Sequence, residues 1–107
     1  MTTFDKREKA FEDKYIHEAN LKFTAQARRN KRLAVWAGEK LGLSGDAVKD
    51  YTKAINLADL TEHGDEDVFR KLKADFAAKS VAITDDEIRT TISEYYAQAF
   101  RELASGM

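Results

Sequence analysis

The chain has 107 residues, 18 basic and 19 acidic, for a net charge of −1. That is one domain by size, and a balance so near neutral argues against a nucleic-acid or anionic-membrane surface built on bulk charge. The absence of cysteine excludes disulfides and thiol chemistry. The absence of proline, with plentiful Ala, Glu, Lys, Leu and Arg, favours helices over strands.

The first predicted helix runs from about Phe4 to Leu41. Its opening stretch FDKREKAFEDKYIHE, residues 4–18, is charged at nine of fifteen positions. Its large apolar groups are Phe4, Phe11, Tyr15 and Ile16. On a wheel of 100° per residue, Phe4, Phe11 and Tyr15 form one narrow stripe. Further on, Phe23, Ala27, Asn30, Ala34, Ala37 and Leu41 form a second stripe about 100° around, widened by Leu33 and Trp36. The second stripe reads as core. The first is sparse, and an isolated helix of about 15 residues is marginal in water. Residues 1 to about 18 are therefore expected to fray in the free protein and to become helical on a partner. Asp5–Lys9 and Asp13–His17, the latter with a charged imidazole, support the helical form. The pattern by itself fits equally well an amphipathic first helix packed on its own bundle.

The turn GLSG, residues 42–45, ends this helix, since glycine suits the left-handed residue that follows a helix. A second helix is predicted from Asp46 to Thr61, with Ser44 as N-cap and a stripe of Val48, Tyr51, Ile55 and Ala58. A third opens on Asp65, Glu66 and Asp67, which suit the positive end of the helix dipole. It carries Phe69, Leu72 and Phe76. The fourth is announced by ITDDEI: Thr84 as N-cap, Glu87 as its capping-box partner, and Ile83 with Ile88 as a staple. Ile88, Ile92, Tyr95, Ala99 and Leu103 then share one face. These stripes predict an all-α fold, a compact four-helix bundle (residues 20–107) with a mobile, conditionally helical N-terminal arm (residues 1–19).

The only dense basic cluster is ARRNKR, residues 27–32. It could bind phosphate or an acidic protein surface, but near-neutral net charge favours a solvated helix face. A nucleotide- or nucleic-acid-binding module using Arg28, Arg29, Lys31 and Arg32 is the rival functional reading. A helical adaptor for some other protein is a third. Asn30, on the apolar stripe, needs hydrogen-bond partners if buried. The two histidines, His17 and His63, are far apart in sequence, so no metal site is expected. No nucleophile–base motif, phosphate loop or nucleotide fingerprint occurs, so neither enzyme activity nor a cofactor is expected. No run of about 18 apolar residues and no apolar leader is found, which predicts a cytoplasmic protein without membrane insertion.

Three stretches carry a resemblance: MTTFDKREKAFEDKY at the start, ARRNKRLAVWAGEKLG, and EDVFRK at residues 66–71. The chain resembles the zeta subunits of alphaproteobacterial F-type ATP synthases, small helical inhibitors of ATP hydrolysis. The likeness covers almost the whole chain and thins after about Lys79. It implies a four-helix fold whose N-terminal arm inserts at a catalytic interface between the alpha and beta subunits, near the gamma rotor, and blocks hydrolytic rotation. Carried onto this sequence, the arm is roughly Thr2 to Ala19. Phe4, Phe11 and Tyr15 are its apolar anchors, and Asp5, Arg7, Glu8 and Lys14 are candidates for charge contacts. Arg28, Arg29 and Lys31 are candidate secondary contacts. The implied partners are the alpha, beta and gamma subunits, with the protein monomeric when free and held peripherally at the inner membrane through the synthase. Ile16 and Arg32 depart from the family pattern, standing where a small and an apolar residue are expected.

Overall fold

A computed structural model describes the backbone of residues 3–60 and 65–105, and the side chains of residues 19–60 and 65–105. It consists of four helices: α1 (Thr3–Leu41), α2 (Asp46–Asp59), α3 (Glu66–Ala78) and α4 (Asp85–Ser105). No strand occurs among the described residues. The helices run up-down-up-down. Arg28 of α1 meets Glu102 of α4, Tyr51 of α2 meets Asp75 of α3, and Lys73 of α3 meets Asp85 of α4. Lys73–Asp85, together with Glu66–Arg89, sets α3 and α4 antiparallel.

The core is built from the expected stripes. Ile55 of α2, Val68, Phe69, Leu72 and Phe76 of α3, and Ile88 and Ile92 of α4 close around Leu33, Ala34 and Ala37 of α1. Trp36 packs against this cluster, edge-on to Phe76 with ring centroids 5.5 Å apart, an arrangement favoured by the ring quadrupoles. Because α1 is touched by α2, α3 and α4, it buries a broad face, which also takes in Ala25 and Arg29.

Helix ends follow from local chemistry. At the end of α1, Gly42 takes φ 78°. The Leu43 N–H donates to the Gly38 carbonyl at 2.7 Å, satisfying a carbonyl the helix would leave orphaned. Ser80 plays the same left-handed part after α3, with Val81 N–H donating to Phe76 O at 2.9 Å. Thr84 caps α4 as predicted: its hydroxyl accepts from the Glu87 N–H at 3.1 Å. Ile83 and Ile88 both pack into the core.

Three expectations are corrected. Ser44 is not the N-cap of α2; Gly45 holds that position at φ 58°, with no side-chain cap, and Ser44 contributes only its carbonyl, to Ala47 N–H at 3.2 Å. The second helix stops at Asp59, capped by Leu60, short of Thr61. Phe23 and Ala27, expected in the buried stripe of α1, are exposed. On the wheel they share the side of the buried Asn30, Ala34 and Ala37, but they lie one to two turns before Asn30, which already meets the last turn of α2 through Asn56 and Asp59.

Candidate functional site

α1 has 39 residues, while α2, α3 and α4 have 14, 13 and 21. At 1.5 Å per residue α1 is roughly 58 Å long, far more than partners of that length cover. Its backbone is helical from Thr3, through the sequence assigned to the arm. The side chains of Phe4, Asp5, Arg7, Glu8, Phe11, Lys14, Tyr15 and Ile16 lie outside the described residues.

The described part of α1 near the arm is anchored by a buried polar hub. Arg29 is 1% exposed. Its guanidinium donates to Asp65 Oδ1 at 2.6 Å, to Asp59 Oδ2 at 3.3 Å and to Asn30 Oδ1 at 3.1 Å. Asn30 in turn donates to Asn56 Oδ1 at 3.0 Å and to Asp59 Oδ2 at 3.1 Å. The ring of Tyr96 lies 6.0 Å from the guanidinium carbon. One residue of α1 thereby ties together the C-terminal end of α2, the start of α3 and the body of α4. A cation this deeply buried persists only when paired and hydrogen-bonded, and here the carboxylates flank the connection between α2 and α3. Asn30 is buried and hydrogen-bonded, the structural role its position on the stripe required.

The basic cluster therefore divides. Arg29 points its charge inward and offers none to an outside partner, contrary to its candidacy as a surface contact. Arg28 and Arg32 share the Glu102 carboxylate on α4, Arg28 at 3.3 Å and Arg32 in close contact. This accounts for a cation at 32, where an apolar residue was expected: it bridges α1 to α4. The Arg32 hydrogen bond, reinforced by the charges of Arg32 and Arg28, holds the Glu102 carboxyl below its usual range despite some opposing desolvation. Lys31 is exposed. Arg28, Lys31 and Arg32, with Val35, Trp36, Glu39, Tyr95 and Gln98, line a groove of about 610 Å³ between α1 and α4.

Two features of the site were missed in the sequence. Arg29 looked like one more member of a basic run, although its spacing to Ala25 and Trp36, four residues before and seven after, marks the buried face. The second is an exposed apolar group at the same end of the bundle: Phe23, Leu57 and Leu60. Among the described residues, no group of three His, Asp or Glu side chains is arranged to hold a metal ion, and no helix is long and apolar enough to cross a membrane.

The architecture defines a class, an all-α bundle in which one helix far outruns its three partners and is pinned at its root by an internal ion-pair hub. Comparison with known families makes the assignment specific. The family described as ATPase inhibitor subunit zeta matches residues 1–102, and the chain belongs to it. No curated protein matches the chain. Membership supports an ATPase-inhibitor role, in keeping with the resemblance noted in the sequence.

Proposed function

We propose that the protein is a non-enzymatic inhibitor of ATP hydrolysis by an F-type ATPase. The arm, Thr2 to Ala19, inserts as a helix at a catalytic alpha/beta interface near the gamma subunit and obstructs rotation in the hydrolytic direction. Phe4, Phe11 and Tyr15 fill apolar pockets, and Asp5, Arg7, Glu8 and Lys14 form the polar rim. Anchors of this kind carry most of the binding energy, while rim charges steer and exclude water. The bundle, residues 20–107, stays outside as a brace that keeps the arm from being drawn through. The protein works without a cofactor, as a monomer, in the cytoplasm, attached to the inner membrane only through the synthase.

The observation that carries this reading is the overlong α1 rooted by Arg29. A probe helix is useful as a stop only if its base is held rigidly, and the hub fixes where α1 leaves the bundle. The test adds the pure protein to inhibitor-depleted F-type ATPase during turnover. Hydrolysis is expected to fall at micromolar protein while ATP synthesis is far less affected. Unchanged hydrolysis at micromolar excess rules the activity out.

A second reading is favoured by one observation, the groove in which Arg28, Lys31 and Arg32 stand beside Trp36 and Tyr95. Guanidinium groups next to aromatic rings suit a nucleotide's phosphates and base, although Glu102 already engages two of the three cations. A chemical-shift titration with nucleotide tests it. Saturable, salt-sensitive shifts confined to the groove support a nucleotide site, and flat spectra at millimolar nucleotide exclude it.

A further inference from the structure

The outer face of α2 changes character along its length. Asp46, Lys49, Asp50 and Lys53 are exposed and charged, as a wet helix face should be. One turn further the same face carries Leu57 and then Leu60, which are 70% and 74% exposed. Residues three apart on a helix are neighbours. Leu60 also lines a groove of about 330 Å³ together with Phe23, Gln26, Ala27, Asn30, Asn56 and Asp59, and Phe23 is itself 67% exposed. Three of the four large hydrophobic side chains exposed among the described residues thus gather at one end of the bundle; the fourth, Val35, lies in the groove facing α4. Single exposed apolar residues are ordinary, but a contiguous group marks an interaction surface.

Several polar groups lining this groove already pair with one another. Asn30 donates to both Asn56 and Asp59, and Asp59 also accepts from Arg29. Beside them stands the apolar rim of Phe23 and Leu60. Its position identifies the outside partner. Phe23 follows the arm boundary, Ala19, by four residues, about 6 Å along the same helix. A body that encloses the arm meets this rim next.

We infer that Phe23, Leu57 and Leu60 form a second docking surface, which seats on an apolar patch of the same ATPase beside the cleft that receives the arm. The inference rests on the proposed inhibition. It explains why Phe23, which patterns as core, and two leucines on an otherwise charged helix face are left on the outside: their burial comes from the complex.

The test uses the full-length chain with Phe23→Gln, Leu57→Gln and Leu60→Gln, singly and together, and Ala47→Asp as a control at the far, exposed end of α2. Glutamine keeps the helix and removes only apolar surface. Thermal midpoints are expected to stay put, because these side chains are exposed. The concentration of inhibitor giving half-maximal loss of hydrolysis is expected to rise at least about ten-fold in the triple variant, the scale of losing interface anchors, and to be unchanged in the control. A triple variant that inhibits like the unaltered chain overturns this inference and leaves the proposed function standing. Failure of the unaltered chain to inhibit overturns the proposed function and this surface with it. Sedimentation supplies a further discriminating outcome. Self-association of the unaltered chain that the triple variant abolishes, with inhibition intact, assigns the patch to a second copy of this chain and overturns the inference.

Discussion

Arg29 shows how a single side chain can decide the geometry of a helix end. Its charge is held by Asp59, whose side chain is 13% exposed, and by Asp65, which is 48% exposed. Removing the cation leaves a nearly buried carboxylate without its counter-ion, so Arg29→Ala should lower stability by about 3 kcal/mol in urea unfolding. Asp65→Asn removes a half-exposed partner and should lower it by about 1 kcal/mol or less. Equal losses would show that the half-exposed Asp65 carries all that Arg29 contributes and that the more buried Asp59 adds nothing. The sequence contained only part of this: Ala25, Arg29 and Trp36 recur on one side of α1, but a residue type usually found in water masked the pattern. No local rule says that two aspartates some 30 residues downstream will meet it.

Tyr51 carries a pH signature. Its hydroxyl donates to Asp75 Oδ2 at 2.7 Å, and Lys71 also contacts that carboxylate at 3.1 Å. Burial, then the Asp75 hydrogen bond and charge, push the phenol well above its ordinary range. The folded state therefore holds this proton more tightly than the unfolded state does. The stabilisation is fully present below the unfolded value of about 10 and is lost as pH rises beyond it. Urea midpoints measured between pH 8 and 11 should begin to fall near pH 10, and Tyr51→Phe should flatten that part of the curve. An unaltered slope in the variant would assign the pH dependence to other groups.

At the scale of elements, capping and periodicity were the most legible signals. α4 was announced by ITDDEI because Thr84 and the Ile83–Ile88 pair act within a few residues, where sequence spacing is also spatial proximity. Thr84→Ala should cost about 1 kcal/mol, read as a lower melting midpoint, since the Glu87 N–H loses its acceptor. No change would mean that solvent replaces the cap fully. The start of α2 was misread for the complementary reason. Ser44 is a good N-cap by type, but the left-handed turn at Gly42 and Gly45 sets the chain path, and backbone freedom outweighed side-chain preference. For α1 the error was one of extent along the axis. Asn30, Ala34 and Ala37 of the expected stripe are buried and Leu41 packs against the core, while Phe23 and Ala27, nearer the N-terminus, are exposed. How far along α1 the stripe stays covered depends on where α2 ends, a tertiary fact absent from a wheel.

At the scale of the whole molecule, the fold class and the length of α1 were legible, and the binding surfaces only half so. The proposed arm was suggested by charge density and sparse aromatics that occur together over fifteen residues. The patch of Phe23, Leu57 and Leu60 was not, because its members come from two helices, Phe23 looks like core within α1, and Leu57 and Leu60 fall outside the stripe of α2. The long helix, the buried root and the exposed apolar rim make a coherent device when the bundle is read as the holder of a probe.

The most direct test of that account compares the full chain with residues 20–107 in ATP hydrolysis by inhibitor-depleted F-type ATPase, alongside thermal melts of both. The account predicts that the shortened protein melts cooperatively and fails to inhibit at concentrations where the full chain stops hydrolysis. A shortened protein that still inhibits as strongly as the full chain would contradict the central claim, because the obstruction would then lie in the bundle and not in the arm.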